Sequence, residues 1–299
     1  MGPWLRSRFG RPVVKIGLDA GLGCPNRDGA IGFAGCSFCP PGGSGRGQGD
    51  LGIAEQVKEG VARLAQRSGQ KSRPLPAVLA YFQAHSSTHG SPPRLADLYA
   101  QALSHPLVAG IIISTRPDCL DGPRWDLLQK TARRIPLWLE LGLQSAHDAT
   151  LRAIGRGHDL ACFDRAVREA HKRGIKVVAH VILGLPGEDI AQTNATAAHL
   201  AGLAVWGVKM HNLMILNQTA LAREFARGGL SLWTREKWAQ AAANFLARLP
   251  RRMLIHRLVA DPGPDELLAP DWAADKDQAL KALTQRLRED RLEQGALCL

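Results

Sequence analysis

Lys176-Val177-Val178-Ala179-His180-Val181-Ile182-Leu183, running on into Gly184-Leu185-Pro186-Gly187-Glu188, reads as a buried strand that turns sharply into a helix. Six of its first eight residues are apolar, and the run is bounded by Gly174 and Gly184. Such runs suit parallel strands covered on both faces. Upstream, residues 159–173 carry Phe163, Val167 and Ala170 at helical spacing and stop at Gly174, a good helix terminator. Downstream, glycine and proline set the turn, and Glu188 favours the positive end of a helix expected over 188–203.

The same alternation repeats along the chain. Apolar runs at 13–18, 77–82, 110–115, 136–142 and 207–213 are separated by amphipathic stretches such as 53–68. Strand–helix repetition of this kind implies an α/β fold, with a parallel sheet open or curled into a partial barrel. Sites in such folds lie beyond the carboxyl ends of the strands. After Leu216 the pattern turns helical, at 219–228, 231–247 and 275–291, with 253–259 as an added strand. The expected division is therefore 1–217 for the barrel and 218–299 for a mostly helical extension. Residues 40–52 form a glycine-rich loop.

Of 299 residues, 45% are apolar and 22% charged, a globular composition. No apolar run approaches the roughly 20 residues that span a bilayer. The basic N-terminal segment lacks the apolar core of a secretory signal, so the cytoplasm is the expected compartment. Lys and Arg number 38 against 27 Asp and Glu, a net charge of +11. That excess suits a polyanionic partner such as a nucleic acid, although a GC-rich genome produces a similar composition.

Six cysteines are present, and three crowd into one segment. Gly23-Cys24-Pro25-Asn26-Arg27-Asp28-Gly29 and Gly35-Cys36-Ser37-Phe38-Cys39 place Cys24, Cys36 and Cys39 in a C-x11-C-x2-C array. Three thiolates can hold three irons of a cubane and leave the fourth iron open to a small molecule. Zinc is the alternative, with His85 or His89 closing a four-ligand site. Glycines at 21, 23, 29, 32 and 35 allow the loop to fold round a bulky group. Cys119, Cys162 and Cys298 are scattered and read as structural.

Further blocks follow in order: Tyr81-Phe82-Gln83-Ala84, Thr115-Arg116-Pro117-Asp118-Cys119, Glu140-Leu141-Gly142-Leu143-Gln144-Ser145, Arg156-Gly157-His158-Asp159, the Gly184–Glu188 turn and Lys209-Met210-His211. With the cysteine loop, they resemble the radical S-adenosylmethionine (SAM) enzymes, and more narrowly their YhcC/YtqA-type branch. The resemblance spans about residues 10–270. It implies a partial (β/α)6 barrel, a [4Fe-4S] cluster on Cys24, Cys36 and Cys39, and SAM bound at the open iron. Reduction of that cluster, by a partner such as flavodoxin or ferredoxin, then cleaves SAM to a 5′-deoxyadenosyl radical.

The resemblance also implies site roles. Gln83, Glu140, Gln144 and Ser145 are expected to bind SAM, with Gly184 and Pro186 presenting backbone near the adenine. Arg116 suits a carboxylate of SAM or substrate, or a structural ion pair with Glu140. His180 and His211, read as strand-end residues, are the candidates to meet substrate, with His158 at the same mouth. Residues 254–258 resemble the branch's C-terminal strand, in which an arginine can face the active site, so Arg257 is a second candidate for a substrate carboxylate. The YtqA-type branch is linked to tRNA wobble-uridine modification, converting a carboxymethylaminomethyl group to aminomethyl. Two other readings remain: a radical SAM enzyme acting on a small heterocycle, and a non-enzymatic zinc and nucleic-acid-binding module.

Overall fold

The computed structural model describes residues 2–43, 48–67, 74–263 and 265–298. Seven parallel strands form its centre: β1 (Val13–Leu18), β2 (Ala77–Phe82), β3 (Val108–Thr115), β4 (Leu137–Gln144), β5 (Lys176–Leu183), β6 (Gly207–Asn212) and β8 (Leu254–Arg257). They pair in that order, so each strand lies beside its predecessor in the sheet. Six are the strands expected from the apolar runs; β8 adds a seventh from the segment after 217. The sheet curls into a half-barrel whose open edges are β1 and β8.

Between the strands run α2 (Ile53–Arg67), α3 (Pro92–Leu103), α4 (Gly122–Arg134), α5 (Asp148–Ala153), α6 (Leu160–Lys172) and α7 (Ile190–Gly202). A short helix α1 (Gly2–Phe9) precedes β1. After β6 come the two-residue β7 (Ile215–Leu216), α8 (Ala220–Ala226), α9 (Arg235–Arg248), β9 (Leu267–Ala269) and α10 (Lys276–Glu289). β7 and β9 make a separate antiparallel ribbon. Of the 40–52 loop, residues 44–47 lie outside the described residues.

Local chemistry sets the helix boundaries. Asp159 caps α6 through the Cys162 amide, and Gly174, at φ +68°, ends its turn. α7 starts later than expected. Asp189 is its cap, closing a reciprocal pair with Gln192, which leaves Glu188 outside the helix. α9 begins at Arg235 because Thr234 caps it through the Lys237 amide.

The two faces of the sheet differ. Outward side chains such as Ile111, Leu139, Val177 and Met210 pack beneath the helices in the main core. Burial of each such side chain is worth about 1.5–3 kcal/mol. Inward, the amino-terminal end of the barrel is plugged by Leu79, Ile112 and Trp138 with Leu5, Trp4 and Phe9 from α1. Trp4 meets Trp138 edge-on at 6.2 Å and Trp206 at 5.0 Å. That plug closes one end, so the inward polar residues face only the carboxyl end.

Candidate active site

The cysteine loop is shaped by its own backbone. Arg27 N donates to Cys24 O at 2.7 Å and Cys39 N to Cys36 O at 3.0 Å, so Cys24 and Cys36 each open a turn and Cys39 closes the second. Gly35, at φ +73°, has no room for a side chain: a Cβ there would lie 2.6 Å from the Arg27 guanidinium. Arg27 in turn donates to the carbonyls of Cys39 and Pro40 at 2.7 and 3.0 Å. Ser37 N bonds Ile154 O, and Asn26 Nδ2 bonds Gly155 O at 2.8 Å, which ties the loop to the end of α5.

Cys36 is the best-supported thiol. It is buried, with Asn26 Nδ2 at 3.6 Å and Arg156 Nη1 at 3.5 Å from its sulfur. Burial alone would raise its pKa, but Arg156 and Arg116 outweigh that and hold it below the usual thiol value. Cys39 goes the other way, raised by burial and then by Cys36 beside it. Cys119 is pushed up to about 12, chiefly by burial, which makes it an inert thiol. Among the described residues, no three His, Cys, Asp or Glu side chains converge on a single-ion position. His89, one candidate to close a zinc site, is engaged with Asp28 at 2.5 Å. Three thiols on one glycine-rich loop, one of them biased toward thiolate, suit a multi-iron cluster with an open position.

Beyond the strand ends lie the other expected contacts. Gln83 follows β2 directly and is partly exposed. Gln144 ends β4 at φ +77°, beyond a register shift, a rare conformation for glutamine that turns it out of the ladder. Ser145 is buried, donating to Glu188 Oε1 and accepting from His147 N. Burial raises the Glu188 carboxyl above its usual value. Gly184 adopts φ +90°, and a Cβ there would sit 3.3 Å from the Trp233 ring. The turn therefore presents its backbone with little side-chain bulk.

Arg116 does not pair with Glu140. Its fork grips Asp118 at 2.9 and 2.7 Å and also donates to Arg156 O at 2.8 Å. Its remaining Nη1 is buried without a partner. After β2, Ser87 Oγ donates to Ala84 O at 3.4 Å, and Thr88 bonds Thr115 at 2.6 Å and Cys119 O at 2.8 Å, so both hydroxyls are engaged within the protein.

Glu140 lies inside the barrel at mid-strand and is fully buried. Its carboxylate receives Tyr81 OH at 2.6 Å, His180 Nε2 at 2.6 Å, Lys209 Nζ at 2.9 Å and Lys15 Nζ at 3.4 Å. Burial opposes its ionisation, but Lys209 and the His180 contact prevail and hold it well below the usual carboxylate range. Burial and then Lys209 push His180 down to about 4, so it is neutral near pH 7. Lys209 is itself pushed down to about 8 by burial. His180 is thus not at a strand end: three residues of β5 follow it. His211 is next to last in β6, its ring 5.6 Å from that of His180 and in contact with Arg257. His158 is elsewhere, in a cleft of about 470 Å³ lined by Asp118, Leu151, Arg152 and Cys162.

Sequence reasoning singled out Glu140 and His180 as candidates but did not name their partners Lys15 and Lys209, nor Arg156 on Cys36. A signal existed: each lysine interrupts an apolar strand, where a buried charge requires a counter-charge.

Residues 21–200 match the Radical SAM superfamily, and residues 205–289 the Radical_SAM C-terminal domain. YtqA of Bacillus subtilis is 36% identical over 292 residues, covering 97% of this chain and 89% of that protein. YhcC of Escherichia coli K12 is 37% identical over 295 residues, covering 98% and 93%. Among solved structures, archaeal Methanocaldococcus infernus Elp3 superposes with a TM-score of 0.71 at 15% identity. The match covers 94% of this chain and 64% of that one, and is a likeness of fold.

Proposed function

The chain belongs to the radical SAM superfamily, in its YhcC-type branch, and we propose that it modifies the wobble uridine of tRNA, turning a carboxymethylaminomethyl group into aminomethyl. When bound, the [4Fe-4S] cluster and SAM supply reductive cleavage of the sulfonium and removal of a hydrogen atom from a substrate carbon. Cys24, Cys36 and Cys39 are the residues we assign to the cluster. The observation that carries the assignment is the Cys36 sulfur, held by Asn26 and Arg156 at the carboxyl end of a parallel half-barrel.

The remaining side chains divide by what is free. Gln83 and Gln144, partly exposed at strand ends, are the side chains we assign to the amino and carboxylate groups of SAM. Gly184, at φ +90°, and Pro186 are the residues we assign to present backbone to the adenine. Ser145 and Glu140 are already engaged within the protein, so their part is to fix the walls of the site. Arg116, clamped by Asp118, supports the loop that carries Arg156 and adds positive potential near Cys36. His180 and His211 line the inner wall, with His211 nearer the mouth and better placed to touch substrate.

The net charge of +11 favours a polyanion, and the resemblance to the YtqA-type branch favours the wobble position. A low-potential acidic donor such as flavodoxin or ferredoxin suits the same excess of positive charge, with the cytoplasm as the compartment of both partners. Among the described residues no helix is long and apolar enough to cross a membrane. The test is the nucleoside profile of tRNA from a deletion strain, read by mass spectrometry. Accumulated carboxymethylaminomethyluridine supports the assignment; an unchanged profile refutes it.

A further inference from the structure

The inner wall of the barrel is short of negative charge. Lys15 from β1 and Lys209 from β6 converge on one carboxylate, that of Glu140, and Arg257 from β8 lies close enough to feel its charge. The two lysines share it, at 3.4 and 2.9 Å. Arg257 has no carboxylate partner among the described residues. Its Nη2 lies against the His211 ring, and its Nε is buried with no hydrogen bond. Asp261 acts on Arg257 only from a distance, being exposed and paired with Lys276 at 2.8 Å.

The neighbouring groups do not supply the missing charge. Tyr81 stays protonated, since burial and then Glu140 raise its pKa well above the usual value. His180 and His256 are pushed down to about 4 and about 3, chiefly by burial, and are neutral near pH 7. His211 is likewise held well below its usual value. Both ring nitrogens of His256 are buried without a hydrogen bond among the described residues, Nδ1 lying 3.9 Å from Glu140 Oε1. Among the described residues three cations face one anion; Lys15 is partly exposed to solvent, but Lys209 is buried and the Arg257 Nε is buried without a hydrogen bond, an arrangement that is costly unless a ligand completes it.

Geometry narrows the ligand. The layer is closed beneath by the aromatic plug, while Gln83, Gln144 and His211 lie toward its carboxyl end and Lys15 and Arg257 stand on the edge strands β1 and β8. A nucleic-acid backbone cannot descend to mid-strand depth in a half-barrel; a narrow chain ending in an anion can. The planar fork of Arg257 matches a carboxylate, and the lysines add point charges. Arg116, the other candidate for such a group, is committed to Asp118.

We propose that this layer is a binding site for a carboxylate at the tip of a slender substrate chain, with Arg257 its main contact and Lys15 and Lys209 completing the charge. It rests on the reading above in one respect: the carboxymethylaminomethyl group of wobble uridine ends in such a carboxylate.

The test is calorimetric titration of the anaerobically reconstituted full-length protein with four probes: free 5-carboxymethylaminomethyluridine, its methyl ester, N-butylglycine and inorganic phosphate. The wild type is expected to prefer the free acid over the ester by about tenfold or more, as one charge-assisted contact provides. Arg257→Met abolishes the preference, and Arg257→Lys retains part of it. Lys15→Met, on a partly exposed edge-strand side chain, weakens it. Without probe, Arg257→Met raises the melting temperature by removing an unpaired buried charge, whereas loss of a structural ion pair lowers it. Equal binding of acid and ester by the wild type, or an undiminished preference in Arg257→Met, overturns the proposal. Tighter binding of phosphate than of either acid overturns the carboxylate assignment. An Arg257-dependent response to N-butylglycine with none to the nucleoside leaves the carboxylate site standing and removes the wobble-uridine reading.

Discussion

Arg156 Nη1 lies 3.5 Å from Cys36 Sγ, while its Nη2 donates to Gly142 O at 2.8 Å. One guanidinium thus links the cysteine loop to the inner wall of β4. The contact stabilises negative charge on the sulfur, because hydrogen bonds and a nearby cation both favour the thiolate. Arg156→Met is therefore expected to shift alkylation of Cys36 to higher pH in the cluster-free, reduced protein. Iodoacetamide labelling followed by peptide mass spectrometry reads that shift, and an unchanged profile would show that the contact is only packing.

Gly142 is the neighbour that makes this arrangement possible. A Cβ there would sit 2.4 Å from Arg156 Nη2 and 2.9 Å from Gln144 Nε2. Gly142→Ala must displace the arginine or the glutamine, at a cost of about 1–3 kcal/mol. Urea denaturation measures the cost, and Cys36 alkylation in the same variant should move toward that of Arg156→Met.

Removing the Glu140 carboxylate leaves Lys209 and Lys15 unpaired. Glu140→Gln should destabilise the fold by about 3–5 kcal/mol, the usual penalty for orphaning a buried charge. Glu140→Gln combined with Lys209→Met should recover much of that loss. If the double variant is as unstable as the sum of the singles, the pair is not coupled in the way its 2.9 Å contact requires.

pH acts on this layer from both sides. His180 and His256 have folded pKa values of about 4 and about 3, below the unfolded value. The unfolded chain therefore binds more protons as pH falls from about 6.5, and stability should drop progressively down to about 4 and below. Lys209, with a folded value of about 8, loses its proton before an unfolded lysine does. Between about 8 and 10.5 its contribution to stability rises with pH, while affinity for a carboxylate falls because one cation is lost. Thermal melts and titrations across pH 4–10 separate the two trends; parallel curves would contradict them.

Much of this was readable in the sequence. Apolar runs bounded by glycine and proline located six of the seven sheet strands, because buried parallel strands tolerate few other patterns. The cysteine spacing marked the loop, and the block at 140–145 marked Glu140, which lies at mid-strand and not at the strand end. What escaped were pairings between distant residues: Lys15 and Glu140 are 125 positions apart, and Arg156 and Cys36 are 120 apart. No local pattern encodes such contacts; they depend on the curl of the sheet. Glu188 was misread as a helix residue for a local reason, since Asp189 beside it is the better cap and frees Glu188 to bind Ser145.

The central claim is tested most directly by anaerobic reconstitution with iron and sulfide, followed by dithionite and SAM. The account predicts about four irons per chain and production of 5′-deoxyadenosine and methionine, both lost in Cys36→Ala. A fully loaded, reducible cluster that yields no 5′-deoxyadenosine would contradict it.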